Sequence, residues 1–184
     1  MKIKFSEESC AILEYSRDEA MRTGSYGVGT EHVLLGILRH ADNCACRALS
    51  GSGIDISELK RSIDDAVFQE SPVPYCDRDA VKMTKAAGRM VALAGLEALR
   101  CGTDTVCPSH LLLAISRGTD SKAGTLLYEE GVDYDILHSF LSAHGMLSDR
   151  TGIRTPSTEE MLGPLGEQLT ALYGTVRDRT NIYS

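Results

Sequence analysis

The chain has 184 residues, a formal net charge of −7 and 42% hydrophobic residues. That length fits one domain or two small ones, and the apolar share argues against disorder throughout. The acidic balance argues against a nucleic-acid binder, which needs a basic face.

Taken in chain order, the sequence opens on Met1-Lys2-Ile3-Lys4 and runs at once into Ser6-Glu7-Glu8, with no apolar signal core. Nothing later approaches the ~18 consecutive apolar residues of a membrane span. A cytoplasmic protein with no membrane partner is expected. Ser6 can cap a helix over 7–23 that turns Ile12, Leu13, Tyr15, Ala20 and Met21 inward. Gly24 then stands where a left-handed C-terminal residue is wanted. The segment Ser25-Tyr26-Gly27-Val28-Gly29 reads as an interhelix loop, because it lacks the lysine and the preceding strand of a phosphate cradle. Thr30 is the expected N-cap of a second helix carrying Val33, Leu34, Ile37 and Leu38. A short helix over 43–50 and another after the Asp55 cap follow. Ser71-Pro72-Val73-Pro74-Tyr75 then reads as an extended linker.

The same scheme recurs at an offset of 78 residues. Laying 5–67 on 83–145 without gaps gives 16 identities in 63 positions, against roughly four for unrelated sequences of ordinary composition. They include Glu19/Glu97, Arg22/Arg100, Gly24/Gly102, His32/His110, Leu34/Leu112, Gly53/Gly131 and Asp55/Asp133. A unit of this size buries little core alone, so two copies sharing one interface are expected. Strand-like alternation is missing. The fold class is therefore all-α, a pseudo-twofold tandem repeat of two four-helix motifs. Residues 1–70 form the first repeat, 71–79 the linker, 80–146 the second repeat and 147–184 a connector-like tail with a helix candidate over 159–173.

Bulk chemistry points away from catalysis. The six cysteines stand mostly at apolar, helix-like positions and read as free thiols. Cys44-Ala45-Cys46 lacks metal-knuckle spacing, and the five histidines show no zinc pattern. No cofactor or metal site is expected, and no catalytic residue. A thiol enzyme finds no support, since no cysteine has a histidine in a recognisable local signature. His32 and His110, paired at one helical turn in both copies, suit packed structural residues.

The blocks Asp18-Glu19-Ala20-Met21-Arg22-Thr23-Gly24 and Gly29-Thr30-Glu31-His32-Val33-Leu34-Leu35-Gly36-Ile37-Leu38 are specific. So are their echoes at Glu97–Gly102 and His110–Ile115 and the continuations Ala45–Asp55 and Ala123–Asp133. Together they resemble the Clp N-terminal repeat domain of ClpA, ClpC and ClpB unfoldases over residues 1–145, and the tail is similar to the connector before their first ATPase module. The resemblance implies a mobile appendage on an AAA+ hexamer. Such a domain receives protein substrates or adaptor proteins, which the ring threads into a ClpP-type peptidase. This chain alone would then be no enzyme. A stand-alone adaptor or regulator of a Clp machine is the other reading, separated from the first by whether a Walker A motif follows Ser184.

Some members of the ClpC group recognise phosphorylated arginine through the glutamate of each G-T-E-H block, and the resemblance extends that expectation to this chain. Here Glu31 fits, with Thr30 beside it, while the second copy has Ser109 at the equivalent position. A serine hydroxyl cannot replace a carboxylate toward guanidinium. Glu31 also suits a plain first-turn acid favoured by the helix dipole.

Overall fold

The computed structural model describes residues 3–118 and 120–147. The expected tail helix and connector, from residue 148 onward, lie outside the described residues. The first repeat runs β1 (Lys4–Phe5), α1 (Glu7–Arg22), β2 (Gly27–Val28), α2 (Thr30–Arg39), α3 (Cys44–Gly51) and α4 (Ile56–Val67). A 3₁₀ helix over Tyr75–Ala80 joins it to β3 (Lys82–Met83), α5 (Lys85–Arg100), β4 (Thr105–Val106), α6 (Pro108–Arg117), α7 (Lys122–Glu129) and α8 (Tyr134–Ala143). Every element of the second repeat begins 78 residues after its counterpart. The expected helical pseudo-twofold architecture is present.

Local chemistry sets most helix boundaries. Ser6, Asn43, Asp55, Thr84, Ser121 and Asp133 each accept a first-turn amide through the side chain, so six of the eight α-helices among the described residues carry a side-chain N-cap. Gly24 ends the first helix at φ +85°, a conformation that costs little only without a Cβ. A Cβ there would also lie 2.4 Å from the Ser71 carbonyl oxygen. The cap of α2 differs from expectation. The N-cap of α2 is Gly29, and Thr30 is the first helical residue. The His32 imidazole takes the Gly29 amide, which moves the cap back by one position.

The four strands are a second departure from the all-helical reading. Each has two residues, too short for alternation to show in sequence. Their pairing is informative. β1 pairs parallel with β4 (Lys4 with Thr105, Phe5 with Val106), and β2 pairs parallel with β3 (Gly27 with Lys82, Val28 with Met83). Each ladder therefore takes one strand from either repeat, and the 78-residue shift maps one ladder onto the other.

The core lies where the repeats meet. Residues Thr30–Leu38 of α2 and Pro108–Ile115 of α6 are all buried. Both helices are apolar on nearly every face, as a central position requires. Phe5, Ile12, Leu13, Leu34, Leu35, Leu111, Leu112 and Leu113 are among the largest fully enclosed side chains, so the leucine stripes read from the sequence serve packing. The repeated Glu-Ala-x-Arg block is structural as well. Buried Glu19 pairs with Arg22 at 2.6 Å and Arg39 at 3.3 Å, tying α1 to the end of α2. Glu97 does the same with Arg117 at 2.5 Å and receives the Tyr134 hydroxyl at 2.9 Å.

The linker is fastened. Gln69 N–H donates to Thr23 O and Val73 N–H to Met21 O, at 2.9 and 2.8 Å. Arg78 reaches back to Glu14 at 3.0 Å and to Asp18.

Because each ladder and the core draw on both repeats, neither half should fold alone. Residues 1–74 as an isolated chain should show no cooperative thermal transition by circular dichroism, and adding residues 75–147 in trans should restore one. A sharp transition from either half alone would contradict the shared core.

Candidate functional site

Helices α2 and α6 are the two α-helices of the described residues without a side-chain N-cap. Histidine takes on half of that task. His32 Nδ1 accepts the Gly29 amide at 2.9 Å, and His110 Nδ1 accepts the Cys107 amide at 3.0 Å. This is the back-reaching half of a capping box, with imidazole in place of glutamate. The other ring nitrogen is also engaged. His32 Nε2 lies 3.0 Å from Thr23 Oγ1, whose own hydroxyl donates to Glu19 O. His110 Nε2 lies 3.0 Å from Leu147 O. Each ring thus accepts at Nδ1 and donates at Nε2, which fixes the neutral tautomer. Burial lowers the pKa of both below the usual 6.5. The expectation of packed, hydrogen-bonded histidines agrees with this geometry.

With the cap made by residue 32, the first-turn side chain at residue 31 is left for other work. Glu31 is 8% exposed. Its carboxylate folds over its own helix N-terminus, so that a Cβ on Gly29 would lie 2.5 Å from Oε1. Thr30 Oγ1 lies 3.4 Å from Glu31 Oε2 and 3.5 Å from the Ala123 amide, at the start of α7 in the other repeat. Lys122, the first residue of α7, places Nζ 4.0 Å from Glu31 Oε1 and is otherwise exposed. The N-termini of α2 and α7 therefore converge on one carboxylate and one ammonium. Such a place offers a cation partner, an anion partner and the positive ends of two helices together.

Ser109 occupies the symmetry-related position and does something else. It is fully enclosed, and its hydroxyl finds no oxygen or nitrogen partner. It rests against the thiol of Cys44, the first residue of α3. Burial raises that thiol's pKa, although the Ser109 hydroxyl and amide and the Ala45 amide act the other way. Thr30 and Glu31 are brought together with Lys122, and Ser109 lies apart from them, in the other repeat. The sequence does not single out Lys122, and it presents Cys44 only as a free thiol without metal-knuckle spacing. The signal was present, since 44 and 122 are 78 residues apart, but it has meaning only once α7 is known to pack on α2 and α3 on α6.

Elsewhere, an open groove of about 290 Å³ runs between α1 and the linker, lined by Asp18, Met21, Arg22, Pro72, Val73, Tyr75 and Arg78. Among the described residues there is no group of three His, Cys, Asp or Glu able to hold a metal ion. No helix among them is long and apolar enough to cross a membrane. All six cysteines are free thiols.

Residues 4–130 match the Clp repeat (R) N-terminal domain. The chain belongs to that family. Among curated relatives, the chaperone protein ClpB of Oceanobacillus iheyensis is 30% identical over 129 residues, covering 70% of this chain and 16% of that protein. The negative regulator of genetic competence ClpC/MecB of Bacillus subtilis is 24% identical over 173 residues, covering 92% of this chain and 21% of its own length. The chain thus spans about a fifth or less of these relatives, and the matched part is their N-terminal region. The crystal structure of the N-terminal domain of ClpD from Arabidopsis thaliana superposes with a TM-score of 0.61 at 20% identity, covering 77% of this chain and 96% of that one. At that identity the likeness speaks for the fold. In this Clp N-terminal domain the repeat is the family's own, and the seat at Glu31 is set by residues from both repeats.

The two histidines make stability sensitive to acid. Above pH 6.5, the usual histidine value, folded and unfolded chains both hold neutral imidazole. Below it the unfolded chain takes up protons that the folded chain refuses, so stability falls with pH. The Tm should drop between pH 7 and pH 5. In His32→Gln the amide oxygen can still accept the Gly29 N–H but cannot titrate, so that drop should be smaller. An equal drop in both proteins, measured by thermal denaturation, would exclude His32 as a source.

Proposed function

We propose that this chain is the substrate- or adaptor-receiving domain of a Clp-type ATP-dependent unfolding machine, acting in the cytoplasm, with its receiving seat at Thr30, Glu31 and Lys122. The observation that carries the reading is the convergence of the α2 and α7 N-termini on a carboxylate and an ammonium 4.0 Å apart. A phosphoarginine side chain has the matching form. Its guanidinium pairs with the Glu31 carboxylate, and its phosphoryl group meets Lys122, the Thr30 hydroxyl and the first-turn amides. The paired charges at two helix starts favour recognition of a charged ligand over chemistry. Unfolding and delivery to a ClpP-type peptidase would belong to AAA+ modules and their partners.

Two outcomes are expected. A short peptide bearing phosphoarginine should bind the purified chain, and Glu31→Ala should weaken it about 10- to 100-fold, the worth of one or two charge-assisted hydrogen bonds. The same peptide with unmodified arginine should bind far less. Unchanged affinity in Glu31→Ala, measured calorimetrically, would remove Glu31 from the site. The chain by itself should turn over no ATP in a coupled phosphate-release assay, and measurable turnover would contradict the reading.

A further inference from the structure

The two seats related by the pseudo-twofold differ at three positions together. The first combines Gly29, Glu31 and Lys122; the second has Cys107, Ser109 and Cys44 at the corresponding places. The three positions are neighbours in space. The Glu31 carboxylate lies where a Cβ on residue 29 would stand, at 2.5 Å, so glycine at 29 lets the flexible acid fold over the helix start, and a larger residue there would turn it away. Cys107 has that Cβ, and Ser109 is short enough to leave it room. Opposite the acid stands the Lys122 ammonium, and opposite the serine stands the Cys44 thiol. Ser109 is fully enclosed, and its hydroxyl has no oxygen or nitrogen partner. The second pair of helix N-termini holds the enclosed Ser109 and the half-buried Cys44.

We infer that the domain has one working seat, that Cys44 and Ser109 close the other, and that the Gly29–Glu31–Lys122 set decides which seat accepts a ligand carrying both a cation and an anion. This rests on the reading of the first seat given above and goes further by fixing the ligand count at one per chain. Closure is a property of the free protein, because the thiol and the enclosed serine are in place without a ligand.

The test uses the whole chain with a phosphoarginine peptide as probe. Calorimetry should give one equivalent for wild type, and a single equivalent bound about 10- to 100-fold more weakly for Glu31→Ala. The triple variant Cys107→Gly, Ser109→Glu, Cys44→Lys should take up a second equivalent. Two equivalents on wild type would overturn the inference. A second measurement needs neither the variant nor the peptide. In the native chain at pH 7, iodoacetamide should alkylate Cys44 at least tenfold more slowly than exposed Cys76. Peptide bound at the first seat should leave the Cys44 rate unchanged. Equal rates for the two thiols, or protection of Cys44 by peptide, would overturn the closure. Failure of wild type to bind the peptide would overturn the reading of the first seat and the count with it, and the alkylation rates would still decide the closure.

Discussion

The exchange of strands between repeats is the constraint on which the rest of the molecule depends. β1 lies beside β4 and β2 beside β3, so the entry to each repeat is held by the other. Only four residue pairs are involved, yet they fix the relative placement of two units that each bury little surface alone. Once the ladders are set, α2 and α6 must lie at the centre, and their leucines and isoleucines find one another. The same placement carries the start of α2 to the start of α7 and the start of α6 to the start of α3. Both seats are thus products of the interface, and neither repeat holds a complete one.

Histidine at the third helical position resolves a conflict at those helix starts. An uncapped N-terminus inside a protein leaves amides to be satisfied, while α2 and α6 have no Ser or Asp at the cap position to take them. His32 and His110 reach back to a single amide from inside the core, at 2.9 and 3.0 Å. The side chains of residues 31 and 109 are thereby left out of the capping, Glu31 beside Lys122 and Ser109 fully enclosed. The cost is that both rings must stay neutral, because Nδ1 is already an acceptor. In both copies the ring serves the helix start, and the adjoining side chain at 31 or 109 takes no part in the capping.

The sequence carried much of this in readable form. Ser6, Asp55 and Asp133 announce helix starts because their cap chemistry is local, and Gly24 announces a stop because its positive φ is local. The 78-residue repeat was visible because identical packing duties preserved Glu19 and Glu97, Arg39 and Arg117, Leu34 and Leu112. What stayed hidden was non-local. Two-residue strands have no periodicity to detect, and their exchange between repeats has no sequence signature. Thr30 looked like a cap because nothing local reveals that the imidazole two residues later takes the Gly29 amide. Glu31 and Thr30 could be picked out by their block, whereas Lys122 and Cys44 become meaningful only when the opposite repeat is in position.

The linker that runs back along α1 has a consequence of its own. Two identical repeats related by this operator, left unjoined, would close as an isologous dimer in which every change appears on both sides at once. Joining them through Val73, anchored on Met21 O, and Arg78, anchored on Glu14 and Asp18, removes that obligation. A substitution on the fused chain is made once. One half can keep a charged pair while its counterpart becomes filler, and the shared core continues to be supported by both.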